Sequence, residues 1–372
     1  MQRLLMKKML HTLTLTALLA VSQTVAAQIG LTGRPQVVLE GKAAVMSIDV
    51  AGGAIADFHL AGSSINPLNW NHPERGVTEP KPMGHFICFD RWGQPSKSEL
   101  ENGMTFHGEA VKVMWDVLSK PSARDGVITA EMHCELPIGG MTLKRTVHMH
   151  SGSAVAEVKE EITNINKLGR IYNIVQHPSI GPPFLDESTI VDCNALKGFM
   201  QESPMPTPEE PLLYWPTNFY HGEVVDLRYL GGDHRPNVTA FVFRDGEEYG
   251  WVTACNPGQG LLIGYRWKLS EYPWLNIWRN SAEGKPTARG LEFGTTGLHK
   301  PFGDLISKGT ILGAPLYEYL DAGEVTVKTY SMFLAKIPSD CKGVSNVLMR
   351  NGKLVISLIT GSGRKDIELT VD

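Results

Sequence analysis

Alternating apolar and polar residues are the recurrent pattern along this chain. From Val127 to Leu136, every second residue is apolar and the residues between them are mostly polar. The same period of two recurs from Met141 to His150 and from Ser153 to Ile162. A period of two is typical of strands with one buried and one exposed face. Turn-forming residues at 137–140 and 151–152 separate these runs, so the pattern predicts consecutive antiparallel hairpins.

Further strand-like runs follow in the second half of the chain. They are Thr239–Phe243, Tyr249–Cys255, Leu261–Trp267, Val325–Leu334 and Leu354–Ile359. The sequence shows no convincing amphipathic helix longer than ten residues, and we therefore predict an all-β fold, either a sandwich or a barrel. Asn66–Glu101 and Gln201–Pro216 are rich in Pro, Gly or aromatic residues and predict long loops. Such loops often carry the functional site of a β-sandwich.

The first 27 residues have the pattern of a secretory signal peptide. Arg3, Lys7 and Lys8 precede the apolar run from Leu13 to Val21, and small residues follow at a cleavage site before Gln28. The run is shorter than the ~20 residues that a membrane-spanning helix needs. We expect a secreted or periplasmic protein, with a retained N-terminal anchor as the alternative. About 345 residues would remain, enough for one large β domain or two ordinary ones.

The charge balance limits the class of partner. Removing residues 1–27 takes away three basic residues and no acidic one, which lowers the formal charge from −4 to −7. A negative protein is a poor partner for nucleic acid or for an anionic membrane surface. No other stretch is long and apolar enough to span a bilayer, so we expect no membrane insertion after the signal is removed. A phosphorylated substrate is disfavoured, although one local basic pocket could still bind it.

The cysteines do not resemble a metal site. Cys88, Cys134, Cys193, Cys255 and Cys341 are scattered, with no metal-like spacing. Small disulfide scaffolds have a denser pattern. We expect most of these residues to be buried thiols and no metal to be bound. An odd count leaves at least one thiol unpaired within the chain, and a single disulfide bond among the others is the alternative.

Two segments carry side chains suited to proton transfer. His177 follows the apparent strand Ile171–Gln176 and precedes a Pro/Gly-rich turn, and Glu292 stands in Gly290-Leu291-Glu292-Phe293. An imidazolium can donate a proton near neutral pH and a carboxylate can accept one. The alternative interpretations are a turn histidine that bonds backbone groups and an exposed carboxylate on a strand.

Three more residues are candidates for ligand contact. His107 stands before Gly108, which would let the backbone bend and turn the imidazole into a cleft. Arg91 lies upstream in Asp90-Arg91-Trp92-Gly93, and Trp278 lies in a strand-like segment. The alternatives are a locally packed turn histidine, a surface salt bridge for Arg91 and a core tryptophan.

Taken in order along the chain, these short sequence segments resemble those of the galactose mutarotase-like (aldose 1-epimerase) family. The resemblance covers essentially the whole mature chain. Glu161-Ile162-Thr163-Asn164 is similar to the family's strand that leads toward its catalytic histidine. Gly290-Leu291-Glu292 is similar to the segment that carries its catalytic glutamate, with Phe293 in place of the family's proline. The segment Gln176-His177-Pro178 also departs from the family's Asn-His-Ser, which leaves the substrate open.

The resemblance implies a fold and a set of roles. The fold is a single large antiparallel β-sandwich, called a supersandwich, over residues 28–372. His177 and Glu292 would be the catalytic acid and base. The residues Arg91, His107 and Trp278 would bind the sugar.

The resemblance also implies an activity. The protein would be an aldose 1-epimerase that interconverts the anomers of a free sugar, with a small-molecule carbohydrate as its partner and no cofactor. A non-catalytic carbohydrate-binding or accessory protein is the alternative. A glycoside hydrolase or lyase is less favoured, because a hydrolase would want two carboxylates, such as Glu109 and Glu292, at one site. The sequence does not indicate the oligomeric state.

Overall fold

The computed structural model describes residues 31, 33–71, 78–201, 212–220, 223–230 and 237–371. The predicted signal peptide at 1–27 lies outside these residues. Over the described ranges the regular secondary structure is almost entirely β-strand. In the first half they are β1 (Gln36–Glu40), β2 (Ala44–Asp49), β3 (Ile55–Leu60), β4 (His85–Phe89), β5 (Asp116–Arg124), β6 (Val127–Leu136), β7 (Met141–His150), β8 (Val155–Asn164), β9 (Arg170–Tyr172), β10 (Ile174–Ile180), β11 (Ile190–Cys193), β12 (Ala195–Met200), β13 (Leu213–Tyr214) and β14 (Thr217–Tyr220).

In the second half the strands are β15 (Glu223–Asp226), β16 (Asn237–Phe243), β17 (Tyr249–Asn256), β18 (Leu261–Lys268), β19 (Trp274–Ala282), β20 (Lys285–Gly294), β21 (Thr310–Ile311), β22 (Ala314–Pro315), β23 (Glu318–Leu320), β24 (Val325–Lys336), β25 (Cys341–Arg350), β26 (Lys353–Thr360) and β27 (Gly363–Thr370). The helical segments of the described residues are short: α1 (Lys97–Glu101), a 3₁₀ turn at Ala110–Lys112 and α2 (Phe302–Lys308). None of these described helices is long and apolar enough to cross a membrane.

Two large antiparallel sheets form a sandwich, which confirms the predicted fold class. One sheet has ten strands in the order β1-β2-β3-β4-β10-β20-β19-β16-β12-β13. The other has eight in the order β11-β17-β18-β24-β8-β7-β6-β5. Apolar side chains from both sheets fill the space between them, including Phe58, Leu143, Ile263 and Phe293. Burial of this apolar surface is the main driving force for the fold.

The hairpins predicted from the alternating pattern are confirmed. The strands β6 and β7 have the bounds that the sequence predicts, and they pair from Leu136↔Met141 to Val127↔His150. The strand β8 continues the meander by pairing with β7. The apolar residues of β6 from Ile128 to Leu136 are buried, and the residues between them are half-buried or exposed. Side-chain alternation across the pleat therefore accounts for the pattern.

The core also contains a polar network that crosses between the sheets. Arg145 and Glu160 are buried, and Arg145 Nε lies 3.1 Å from Glu160 Oε1. Gln176 Nε2 donates to Glu160 Oε2 at 2.6 Å, and Gln176 Oε1 lies 3.0 Å from His85 Nε2. Buried polar groups must be paired in this way, because an unpaired one costs its desolvation free energy. The network holds the Gln176 side chain on the core side of β10.

The strand β10 is longer than the sequence indicates. The predicted strand ends at Gln176, whereas β10 runs through His177 and Pro178 to Ile180. Pairing continues because Gln176 and His177 lie opposite Ile87 and Phe86 of β4. Since Gln176 faces the core, alternation places the next residue, His177, on the opposite face of the sheet.

The strands β25, β26 and β27 form a separate three-stranded sheet at the C-terminal end. Its apolar residues, including Val344, Leu354 and Ile356, pack with Leu262 and Phe333 of the eight-stranded sheet. Leu261 and Ile263 belong to the main core, so Leu262 between them lies on the opposite face of that sheet. The C-terminal sheet thus covers the outer face of the sandwich.

Candidate functional site

A cavity of about 660 Å³ lies against the outer face of the ten-stranded sheet. Four of the five site residues predicted from the sequence line it: His107, His177, Trp278 and Glu292. Further lining residues include Trp70, Phe86, Trp92, Lys112 and His299. The walls are largely aromatic, with a few convergent polar groups, which is typical of a small-molecule site.

Neighbouring strands bring His177 and Glu292 together. His177 comes from the middle of β10, and Glu292 comes from β20, the strand that pairs with β10. Trp278 of β19 lies opposite Gly290 of β20. A Cβ at position 290 would lie 2.5 Å from Glu292 Oε1, so glycine leaves the space that the carboxyl group occupies.

The Glu292 carboxyl group contacts two other side chains of the cavity. Its Oε1 lies 3.1 Å from His177 Nε2, and its Oε2 accepts a hydrogen bond from Trp92 Nε1 at 2.8 Å. On the other side of the imidazole, His177 Nδ1 lies 2.9 Å from Ser179 Oγ. Because Ser179 Oγ donates to the carbonyl of His177, it can accept a hydrogen bond from Nδ1–H. That arrangement leaves Nε2 free to accept a proton from the carboxyl group.

Burial sets the charge state of this pair. Removal from water raises the pKa of Glu292 well above its ordinary value, and the hydrogen bond from Trp92 opposes that rise only in part. Burial likewise lowers the pKa of His177 to about 3. The short contact is therefore a hydrogen bond between neutral partners, although its geometry would also suit an ion pair. The proton of the pair therefore rests on the carboxyl group, from which it can pass to His177 Nε2 across this contact.

The pH dependence of stability tests this shared proton. We expect Glu292→Gln to gain stability relative to the wild type as the pH rises above about 4.5, by up to about 1.4 kcal/mol per pH unit. The unfolded carboxyl group ionises in this range while the folded pair keeps its proton, so the wild type loses stability relative to the variant. Thermal unfolding between pH 4.5 and 8 measures the difference. A difference that stays constant with pH would mean that the pair holds no proton, and Glu135→Gln on the exposed face of β6 is the control.

His107 is positioned by an unusual turn. His107 and Gly108 both have positive φ, at 63° and 78°. The His107 ring lies 5.3 Å from the His177 ring, measured between centroids, and its Nδ1 accepts a hydrogen bond from the main-chain N–H of Gly93. Burial, with some help from neighbouring positive charge, lowers the pKa of His107 well below its ordinary value. The neutral ring with a bonded Nδ1 has Nε2–H left as a hydrogen-bond donor.

We expect Gly108→Ala to destabilise the protein by more than about 1 kcal/mol and to displace His107. A Cβ at position 108 would lie 1.9 Å from the carbonyl oxygen of Phe89, and the positive φ adds strain. Thermal unfolding measures the loss. Gly62→Ala is the matched control, because Gly62 has φ +79 with open space around it. Equal losses in the two variants would contradict a specific role for the close contact at position 108.

Arg91 does not line the cavity. Its side chain is 2% exposed, its guanidinium is paired with Glu99, and it lies over the ring of Phe302 at 4.2 Å. Ser96 caps the helix α1 and holds Glu99 in place through a capping box. A sugar contact from Arg91 would require this pairing to open. The sequence showed the arginine but not its partner eight residues later.

Glu109 also points elsewhere. Its carboxylate accepts hydrogen bonds from the main-chain N–H groups of Ile138 and Gly139. Glu292 is the single carboxylate among the described residues that line the cavity. The described residues therefore do not place in the cavity the two carboxylates that a glycoside hydrolase needs.

Several cavity residues carried no clear signal in the sequence. Lys112 and His299 stand in no recognisable motif, and they reach the cavity through the fold alone. Ser179, two residues after His177, was visible in the sequence, but its bond to the imidazole was not. Burial lowers the pKa of His299 to about 4, so it adds a third neutral imidazole. Trp92 was visible as one of several tryptophans, but its bond to Glu292 spans 200 positions of sequence.

One group near the cavity has ligand atoms close enough for a metal ion. Single atoms of Cys88, His107 and His177 lie within 4.8 Å of one another. Both imidazoles are neutral, as metal ligands must be. Burial, however, raises the pKa of the Cys88 thiol well above its ordinary value, and the Gly93 N–H engages one nitrogen of His107. These residues are thus a weak donor set, and the expectation of no bound metal stays a prediction.

Comparison with known proteins establishes the fold. Neither a protein-family model nor a curated protein sequence matches the chain. A galactose mutarotase-like protein from Clostridium acetobutylicum is similar in structure, with a TM-score of 0.62 and 14% identity over 82% of this chain and 97% of that one. A galactose mutarotase related enzyme from Lactobacillus acidophilus has a TM-score of 0.58 and 12% identity over 82% and 98%. The chain therefore has the galactose mutarotase-like fold.

Proposed function

We propose that the protein is a sugar mutarotase that interconverts the anomers of a free aldose. The observation that carries this proposal is the contact of 3.1 Å between Glu292 Oε1 and His177 Nε2 on the wall of an aromatic cavity. The names of the structural neighbours, a galactose mutarotase-like protein and a galactose mutarotase related enzyme, support a sugar as the ligand.

The reaction needs one proton acceptor and one proton donor side by side. In a cyclic sugar, O1 and the ring oxygen O5 are bonded to the same carbon, so the two catalytic atoms must also be neighbours. In its ion-paired form, Glu292 accepts the proton from O1–H while His177 donates its proton to O5. The C1–O5 bond breaks and C1=O1 forms. Rotation about C1–C2 and closure with the roles reversed give the other anomer.

The cavity walls suit a sugar ring. The apolar face of a pyranose can pack on an aromatic side chain, and Trp278 lies beside His177 with 5.7 Å between ring centroids. Lys112, Asn280 and His299 offer hydrogen-bond donors around the same space. These donors can bind either a neutral or an acidic sugar. The low solvent exposure of the pair strengthens its electrostatic interactions with the reacting oxygens.

Polarimetry tests the proposal directly. We would follow the optical rotation of freshly dissolved α-anomers of galactose, glucose, xylose, arabinose, rhamnose and galacturonate. Acceleration above the spontaneous rate with at least one sugar is the expected result. Saccharide binding without acceleration would instead favour a non-catalytic binding protein that uses the same cavity. If none of the sugars shows binding or acceleration, the proposal is overturned for these substrates.

We expect Trp278→Ala to weaken sugar binding about tenfold, because the ring would lose its packing surface, which corresponds to about 1.4 kcal/mol. The rate at saturating sugar should fall less than the affinity. Titration calorimetry and polarimetry measure the two effects separately. Tyr319→Ala is the control, since Tyr319 is exposed and is not among the cavity-lining residues. Unchanged affinity in Trp278→Ala would remove that residue from the sugar site.

We also propose that the protein acts outside the cytoplasm. The basic, apolar and small-residue segments of residues 1–27 support export. N-terminal sequencing of the mature protein from its native host should start near Gln28. A mature chain that starts at Met1 would contradict export by this route.

A further inference from the structure

Two cysteines meet where the C-terminal sheet joins the sandwich. Cys255 lies in β17 and Cys341 is the first residue of β25. Both side chains are buried in the apolar cluster between the eight-stranded sheet and the C-terminal sheet. Each thiol is the largest influence on the pKa of the other, which places the two side chains in contact. They therefore connect two separate sheets at one point.

Main-chain pairing and a buried carboxylate hold these cysteines in place. Cys255 lies opposite Ile190 of β11 in the eight-stranded sheet. Asp192, two residues further along β11, accepts a hydrogen bond from the main-chain N–H of Val344 at 2.8 Å. Arg228 Nε donates to the same carboxylate at 2.7 Å. Because these bonds fix the start of β25 against β11 and β17, the sulfur atoms are brought together by the fold itself.

We propose that Cys255 and Cys341 form a disulfide bond that fastens the C-terminal sheet to the sandwich. The oxidant is a disulfide, either of a thiol–disulfide oxidoreductase or of oxidised glutathione. The Cys341 thiolate attacks one sulfur of that disulfide and releases the first thiolate. The Cys255 thiol then loses its proton, attacks the Cys341 sulfur of the mixed disulfide and releases the second thiolate. Two protein thiols are oxidised, and one external disulfide is reduced to two thiols.

The electrostatics of the pair suit this order of attack. The contact with the Cys255 thiol lowers the pKa of Cys341 to about 7, against the opposing effect of burial. The same contact and burial raise the pKa of Cys255. A thiol with a pKa near the ambient pH is the effective nucleophile in disulfide exchange. Since both sulfurs are buried in the folded chain, the exchange takes place as β25 docks.

The other three cysteines lie in different surroundings. Cys88 belongs to the cluster beside the cavity, and Cys134 belongs to the core between the large sheets. Cys193 packs against that same core from a partly buried position. The structure thus selects one pair from the five cysteines, for which the sequence alone offered no choice.

Counting thiols tests the proposal. The full chain, refolded from denaturant in the presence of oxidised glutathione, is unfolded again and alkylated with N-ethylmaleimide. Mass spectrometry should show three adducts, and five after reduction. Peptide mapping should show Cys255 linked to Cys341. Five adducts without reduction, or a link between other cysteines, would overturn the proposal.

Variants separate this bond from other thiol chemistry. Cys341→Ser should show four adducts without reduction, whereas Cys134→Ser should show two and keep the linked peptide. Reduction should lower the melting temperature of the wild type by on the order of 5 °C, because the bond closes a loop of about 90 residues. Reduction should not change the melting temperature of Cys341→Ser. The thiol count of the wild type decides the question even if Cys341→Ser fails to fold.

Discussion

Glu292→Gln should abolish the acceleration of mutarotation while leaving the fold intact. The amide cannot accept the proton of O1–H, so ring opening loses its base. A positioned acid or base contributes about 10²–10⁴-fold, and we expect a loss of that size in the rate at saturating sugar. The fold should tolerate the change because the buried carboxyl group is neutral, and an amide has nearly the same shape. Its oxygen can still accept from Trp92 Nε1, as Glu292 Oε2 does.

Polarimetry with the most responsive α-anomer measures this loss, and circular dichroism follows the thermal unfolding. Glu135→Gln is the matched control, because it changes an exposed carboxylate on β6 far along the chain from β20. It should alter neither the rate nor the melting temperature. Full activity in Glu292→Gln would remove this residue from the mechanism. Lost activity with a large fall in the melting temperature would assign it a structural role instead.

His177→Asn should lower the rate at saturating sugar by about 10²-fold or more and change the sugar affinity much less. Asparagine cannot protonate O5, whereas the aromatic walls that bind the ring remain in place. The substitution also removes the acceptor of the Glu292 proton, so the carboxyl group loses its partner at 3.1 Å. The two effects act on the same step, and we expect the double variant to be little slower than either single one.

Steady-state polarimetry gives kcat and KM separately for this test. His133→Asn is the control, since His133 is a half-buried residue of β6 that does not line the cavity. An effect of His177→Asn on KM alone would make the imidazole a sugar-binding group. Additive losses in the double variant would contradict a shared proton between the two side chains.

Much of the fold could be predicted from local sequence. The strands β6, β7 and β8 alternate clearly because each has one face toward the core. The exceptions are Arg145 and Glu160, which interrupt their apolar faces. Either charge alone would be unfavourable in the core, but the two side chains pair with each other there. Two charges of opposite sign on the buried faces of adjacent predicted strands are the signal that could have indicated the bridge.

Four of the five predicted site residues line the cavity, and Arg91 does not. Short sequence segments predicted four residues that the fold brings to one cavity: His107, His177, Trp278 and Glu292. Arg91 looked similar in sequence, yet its guanidinium turns to Glu99 on a short helix. Sequence reports the type of a side chain and not its direction outside regular strands. Contacts such as that between Trp92 and Glu292 depend on strand order across the whole sheet, which no local pattern contains.

The polar network of the core also protects the site against misfolding. A slip of β10 by one residue would turn Gln176 toward the cavity and His177 toward the core, because side chains alternate across a strand. Glu160 would then lose the amide that bonds it at 2.6 Å, and His85 would lose its contact with the same side chain. A mispaired strand would leave these buried groups unsatisfied, at a cost of about 1–3 kcal/mol each. Fidelity of strand pairing and placement of the proposed acid thus depend on the same glutamine, so changes at Gln176 would impair catalysis without touching the substrate.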